Sequence, residues 1–209
     1  MTNITGKNGK NMNKKKIDKI KKKLQKSSVG IAGLGGLGSN AAVSLARVGI
    51  GKLVLVDFDR VEQKNLDRQY YFLDQIGKKK VKALEENIKK INPEVKVETL
   101  DLKLEKGSME KPFKGIDVVI EALDDAKTKA DFIEEIMLKL PNKPIVAASG
   151  VAGYGNSDRI TTRYCGNLYL CYDEHAPSSE DAILAAPRVA LMANWEANLA
   201  IEILLGEDK

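Results

Sequence analysis

The stretch 28-SVGIAGLGGLGSNAAVSLARVGIGKLVLVDFD-59 constrains the fold of this chain more than any other feature. A short apolar run leads into Gly33, Gly35 and Gly38, which form G-x-G-x-x-G ahead of a small-residue helix. A second apolar run then ends in an acid at Asp57, 19 residues beyond Gly38. A strand, a tight glycine turn and a helix at that spacing let backbone approach a phosphate and let helix close onto strand. The helix N-terminus offers free N–H groups and partial positive charge to an anion, and Asp57 can accept from ribose hydroxyls. The turn therefore predicts a nucleotide site, although glycines serving only helix–strand contact remain an alternative. It does not choose between NAD and ATP. It is not a P-loop, because no G-K-[ST] follows it.

Periodicity extends the pattern. We expect strands at 29–34, 52–57, 95–100, 117–121 and 144–148, alternating with helices at 36–48, 77–91 and 126–140. A short helix is expected around 108–112, and 58–76 is too long a connection to be idle in a compact domain. The alternation predicts an α/β fold, a doubly wound, mainly parallel sheet of Rossmann-like type. Beyond residue 148 we expect a C-terminal β-hairpin, 158–164 with 168–172, a polar loop at 173–186 and a terminal helix at 188–205.

At 209 residues the chain reads as one domain, 27–209, behind a lysine-rich tail and helix at 1–26. The net charge of +5 is uneven: the first 26 residues carry +9, leaving −4 for the remainder. Residues 1–12 are expected to be disordered, and 13–26 a helix with a narrow apolar stripe of Ile17, Ile20 and Leu24, lying against the domain or a second subunit. Such a basic lead-in can bind nucleic acid or an acidic partner. No aromatic residue is interleaved to stack a base, so we read it as a solvated segment and expect no nucleic-acid partner. No run approaches the roughly 20 apolar residues of a membrane span, and no secretory signal is evident, so the expected address is the cytoplasm. Cys165 and Cys171 are the only cysteines, which excludes a disulfide framework, and no zinc is expected.

Three downstream features are superfluous for a dehydrogenase. The stretch 57-DFDRVEQKNLDRQ-69 adds Asp59 and then Asn65, Arg68 and Gln69 on one short turn. The stretch beginning 77-GKKKVK opens a helix with three consecutive lysines. The fourth strand ends in Asp124 and Asp125, at the edge where ligands bind in open α/β sheets. Acids beside phosphates repel them unless a cation intervenes, and magnesium is the natural candidate.

Together with ASGVAGYG at 148–155, these motifs resemble the ThiF/MoeB/HesA family, bacterial relatives of ubiquitin-activating enzymes, over roughly residues 28–205. The length, the terminal helix and the absence of CxxC pairs are most similar to a compact second type of ThiF protein. The resemblance implies ATP held by Gly33, Gly35, Gly36, Gly38, Asp57, Asp59, Asn65, Arg68, Gln69 and Lys80. It implies magnesium at Asp124 and catalysis by Arg68, Lys80 and Asp124, with Lys78, Lys79 and Lys82 as neighbours of the phosphate-binding lysine. The implied chemistry is adenylylation of the C-terminal glycine carboxylate of a ThiS-like sulfur carrier by a homodimer, in thiamine biosynthesis. A family enzyme acting on a molybdopterin-type carrier or a tRNA base, an NAD-binding oxidoreductase and a non-catalytic carrier-binding module are the alternatives.

The chain departs from that pattern in having no CxxC pairs, no cysteine in 173–187, no arginine before Arg47 and Asp125 where asparagine is usual. His175 is read as a surface residue and Trp195 as core or dimer packing. Arg188, just after Pro187, stands between a role at the substrate and a structural role at a helix start.

Overall fold

The computed structural model describes residues 5–178 and 180–206, with side chains from residue 14 onward. Seven strands form one sheet in the order β3-β2-β1-β4-β5-β7-β6. These are β1 (Ser28–Ala32), β2 (Lys52–Asp57), β3 (Lys96–Asp101), β4 (Val118–Glu121), β5 (Ile145–Ser149), β6 (Thr161–Cys165) and β7 (Leu168–Tyr172). All pairings are parallel except β6 with β7, whose register closes the hairpin at Cys165 and Leu168. The doubly wound, mainly parallel sheet with its C-terminal hairpin and terminal helix is thus as expected.

The helices are α1 (Thr5–Leu24), α2 (Gly36–Val48), α3 (Lys80–Ile91), α4 (Ala126–Lys139) and α5 (Ala186–Leu205). Alternate residues of each central strand face opposite layers, so the strands read as continuous apolar runs because both faces are covered. Val29 and Ile31 of β1 and Leu53 and Leu55 of β2 join the core under α2, α3 and α5. Ala32, Val54, Val56 and Val119 face Phe113 and α4's Phe132 and Ile136 on the other side. The chain reverses direction across the sheet between β1 and β4, the topological switch where a ligand crevice opens beyond the strands' carboxyl ends.

Most other boundaries fall within about two residues of expectation, and three larger differences have identifiable reasons. The N-terminal helix begins at Thr5, not Asn13, so most of the segment expected to be disordered continues the helix. Its last turn is anchored on α5: Leu24 is buried, and Lys23 Nζ donates to Leu205 O at 2.7 Å at the α5 carboxyl end. Extending a helix that is already nucleated costs far less than starting one. Residues 1–4 of the expected tail lie outside the described residues. Helix α3 begins at Lys80 and not Gly77 because Gly77 N donates to Val61 O and Val61 N to Lys78 O, tying 77–79 to the chain beside it. The hairpin begins at Thr161 because Ser157–Arg159 turn as a 3-10 helix. Trp195 packs between α5 and the hairpin, its Nε1 donating to Thr162 Oγ1 at 2.9 Å.

Candidate nucleotide site

A cleft of about 1040 Å³ runs along the carboxyl edge of the sheet. At one end lies the glycine turn. Gly33 has φ +88°, and a Cβ there would stand 2.6 Å from Ala122 O, so the first glycine lets the turn lie against the end of β4. Gly38 is tighter still: its Cβ would come within 1.9 Å of Gly33 O. Gly35 differs, since a Cβ there meets nothing closer than Gln69 Nε2 at 3.9 Å. Gly35 is also the cap of α2 and has no side chain to satisfy the first-turn amides, which leaves them for an anion. Gly38 does not line the cleft, whereas Gly33, Gly35 and Gly36 do.

Asp57, at the end of β2, is 9% exposed. Its Oδ2 accepts from Leu34 N at 2.7 Å and its Oδ1 from Asp59 N at 2.8 Å. Burial raises its pKa, against lowering by Lys80 and by those two amides. The carboxylate therefore holds the glycine turn and the chain after β2 in fixed relation, with lone pairs left for a ribose.

The 65–71 segment is sutured to α2 and to the glycine turn before it. Asn40 Nδ2 donates to Arg68 O at 3.0 Å, Tyr70 N to Ser39 Oγ at 3.0 Å, and the Tyr71 hydroxyl to Leu34 O at 2.8 Å. Those bonds place Arg68 and Gln69 beside the first turn of α2, where both line the cleft. Gln69 Oε1 is buried without a hydrogen-bond partner, an acceptor that a bound group could satisfy. At rest Arg68 Nη1 donates to Asp67 Oδ1 at 2.6 Å and to Lys64 O at 3.1 Å. Asn65 does not line the cleft. Its Oδ1 accepts from Glu62 N at 2.9 Å, and its carbonyl accepts from Arg68 N and Gln69 N, so it shapes the turn that presents those residues.

Among the four candidate lysines, Lys80 alone lines the cleft. It is 6% exposed and donates to Asp59 Oδ2 at 2.8 Å. Lys78 pairs with Glu86, Lys79 with Asp101, and Lys82 with Glu85.

The two acids after β4 differ in use. Asp125 caps α4: its Oδ1 accepts from Thr128 N at 2.7 Å and Thr128 Oγ1 at 2.6 Å, and those bonds lower its pKa. Asparagine would cap equally well, so the departure at this position changes little locally. Asp124 is exposed and lines the cleft. The described residues contain no cluster of three or more His, Cys, Asp or Glu able to hold a metal. Magnesium, however, is commonly held by one or two carboxylates together with substrate phosphates, and a free carboxylate facing an anion cradle fits that chemistry.

At the far end of the cleft the sequence singled out the 148–155 motif and Arg188, but not the residues they meet. Loops after β5 and β7 wall it, contributing Ser149–Ala152 and Asp173. Lys129 of α4 also lines it, donating to the fully buried Glu121 Oε2 at 2.5 Å and to Ala148 O at 3.3 Å. Nearby on α5, Glu196 is fully buried with neither carboxyl oxygen hydrogen-bonded. Burial pushes its pKa well up, opposed by Lys129 and reinforced by Glu121. Cys171 is buried and its thiol is likewise pushed up by burial, a strand residue and not a reactive thiolate. His175 is exposed on the loop after β7.

Strand order, glycine turn and buried Asp57 together define a nucleotide-binding α/β protein of Rossmann-like type. A ThiF family model matches residues 9–209, and the chain belongs to the ThiF family, a family of adenylyltransferases. The sulfur carrier protein ThiS adenylyltransferase of Escherichia coli is 32% identical over 171 residues, 79% of this chain and 67% of that protein. The SAMP-activating enzyme E1 of Haloferax volcanii is 38% identical over 134 residues, 64% of this chain and 48% of that protein. Among solved structures, the tRNA N6-threonylcarbamoyladenosine dehydratase of Escherichia coli in complex with AMP superimposes with a TM-score of 0.82 at 23% identity, covering 90% of each chain. That last likeness is one of fold. No described helix is long and apolar enough to cross a membrane.

Proposed function

We propose that this protein adenylylates the C-terminal glycine carboxylate of a ubiquitin-like sulfur carrier of the ThiS kind, in the thiazole branch of thiamine biosynthesis. The observation that carries this reading is one cleft joining the open glycine turn to Arg68, Lys80 and Asp124. A dehydrogenase needs the first of these and not the rest. The relatives named for ThiS and SAMP support a carrier as the acyl substrate.

In the reaction the carrier carboxylate attacks the α-phosphorus of ATP, the bond from phosphorus to the bridging oxygen breaks, and pyrophosphate leaves. The nucleophile is already ionised near neutral pH, so no general base is required. The obstacle is anion meeting anion, and the residues supply charge and positioning. Asp57 orients the ribose, and the α2 amides with Gln69 receive phosphate. Arg68 and Lys80 exchange their resting partners, Asp67 and Asp59, for phosphate oxygens. Asp124 would hold magnesium, which when bound neutralises charge on the phosphates. The protein acts as a homodimer in the cytoplasm.

The test is carrier-dependent exchange of labelled pyrophosphate into ATP. Exchange with a carrier ending in Gly-Gly is expected, and silence with every such carrier would sink the proposal.

A further inference from the structure

Arg188 enters α5 directly after Pro187 and is 6% exposed. Its guanidinium serves both loops at the far end of the cleft. Nη2 donates to Asp173 Oδ2 at 2.6 Å and to Gly150 O at 3.3 Å, and Nη1 donates to Gly155 O at 2.9 Å. Asp173 is held in turn, since its Oδ1 accepts from His175 N at 2.9 Å. Burial alone would raise the Asp173 pKa, but the His175 amide and Arg188 outweigh it and hold the group ionised.

The 150–156 turn depends on these ties. Gly150, Gly153, Gly155 and Asn156 all have positive φ, at 71°, 91°, 69° and 47°. The turn also lies in backbone contact with the β7 loop: a Cβ at Gly150 would stand 2.2 Å from Asp173 O. Between the two loops remains a cavity of about 150 Å³, which Asp173 and Arg188 line and which adjoins the main cleft. Arg188 Nε, buried, has no partner. None of the bonds that build the glycine-turn end involves Arg188. The two ends of the cleft are set by separate networks.

We propose that Arg188, locked by Asp173, is a positioning residue for the acyl substrate. It fixes the spacing of the 150–155 and 173–178 loops, between which the carboxylate-bearing segment of the carrier is received. This rests on the adenylylation reading for the identity of the substrate, not for the clamp itself. A planar fork can reach three acceptors on two loops at once, and a lysine ammonium on a flexible stem cannot hold the same geometry.

The experiment compares wild type with Arg188→Lys and Asp173→Asn in the full chain. Three quantities are measured: KM for carrier and for ATP in pyrophosphate exchange, ATP affinity by calorimetry, and amide hydrogen exchange. Arg188→Lys is expected to raise the carrier KM about tenfold while ATP affinity stays within about twofold. Hydrogen exchange should quicken about tenfold at 150–156 and 173–178 and stay unchanged along β1 and α2. Asp173→Asn keeps the shape and one acceptor, so it should move both quantities in the same direction by less, and it stands in if the lysine variant does not fold. Carrier and ATP constants rising together, an unchanged carrier KM, or exchange quickening equally throughout would each overturn the proposal. A wild type silent in pyrophosphate exchange would sink the adenylylation reading instead, and the hydrogen-exchange comparison would still decide the clamp.

Discussion

At the glycine-turn end of the cleft, backbone touches backbone at Gly33 and Gly38 where no side chain would fit, and the buried Asp57 ties the turn to the chain after β2. At the far end a charged pair adds to backbone contact: Arg188 and Asp173 bind two loops that already meet at Gly150, and Lys129 donates to the buried Glu121. At Gly33 and Gly38 the first end leaves no room for a side chain. The second depends on charge and proton occupancy, which substitution or pH can alter without disturbing the sheet. We read the division as one between a nucleotide seat set by close backbone contacts and a wall held by a charged pair facing the second substrate.

Glycine substitutions should break that comparison most visibly. In Gly38→Ala the added carbon would stand 1.9 Å from Gly33 O, a contact neither turn nor helix can relieve. The expected result is loss of the folded state, or at least about 3 kcal/mol in denaturant unfolding. Gly155→Ala meets nothing within 4 Å and strains only its φ of +69°, so it should cost about 1–2 kcal/mol. Equal losses would mean that the two ends are built alike.

Charge removal at the phosphate end comes next. Asp124→Ala should lower pyrophosphate exchange about a thousandfold with the fold intact, and full activity would remove Asp124 from the magnesium role. Lys80→Ala should cost about a hundredfold, whereas Lys79→Ala, whose lysine pairs with Asp101 away from the cleft, should stay within about twofold. Reversal of that pair would move the phosphate contact to Lys79.

The smallest effect is at the far end and concerns pH. Glu196 has a folded pKa raised above the ordinary 4.5, so the unfolded chain ionises first as pH rises. Wild-type stability contributed by this group is full at low pH and falls as pH climbs through the folded value. Glu196→Gln removes that loss, so its thermal midpoint should exceed wild type at about pH 8 and converge with it at about pH 4. Identical differences at both pH values would show that Glu196 is not held neutral.

How much of this was legible in the sequence follows from the same division. Gly33 to Asp57 is a local pattern in the sequence, although Gly33 meets the distant Ala122, and the boundaries of α2 and β2 fall where periodicity places them. The short turn bearing Arg68 and Gln69 was legible for the same reason. Asn65, grouped with them by resemblance, supports the turn from outside the cleft, a distinction that only hydrogen-bond geometry draws. Lys80 could not be separated from Lys78, Lys79 and Lys82 by pattern, because helix phase at a helix start depends on where the first turn begins. The start of α3 at Lys80 settles which of them faces inward. At the far end the ASGVAGYG motif at 148–155 and Arg188 were singled out, but their pairing with Asp173 was not legible. Asp173 and Arg188 are 15 residues apart and meet Gly150 and Gly155 only through the crossing of β5, β7 and α5. Glu121 closes the expected fourth strand, Glu196 carried no reading of its own, and the burial of both is a tertiary fact.

The central claim is that the cleft transfers an adenylyl group to a carboxylate. Mass spectrometry of a ubiquitin-like carrier ending in Gly-Gly, after incubation with this protein, ATP and magnesium, tests it most directly. We predict a carrier heavier by one adenylyl group, formed together with pyrophosphate. An unmodified carrier beside a protein that binds ATP, or ATP hydrolysed to ADP and phosphate, would contradict it.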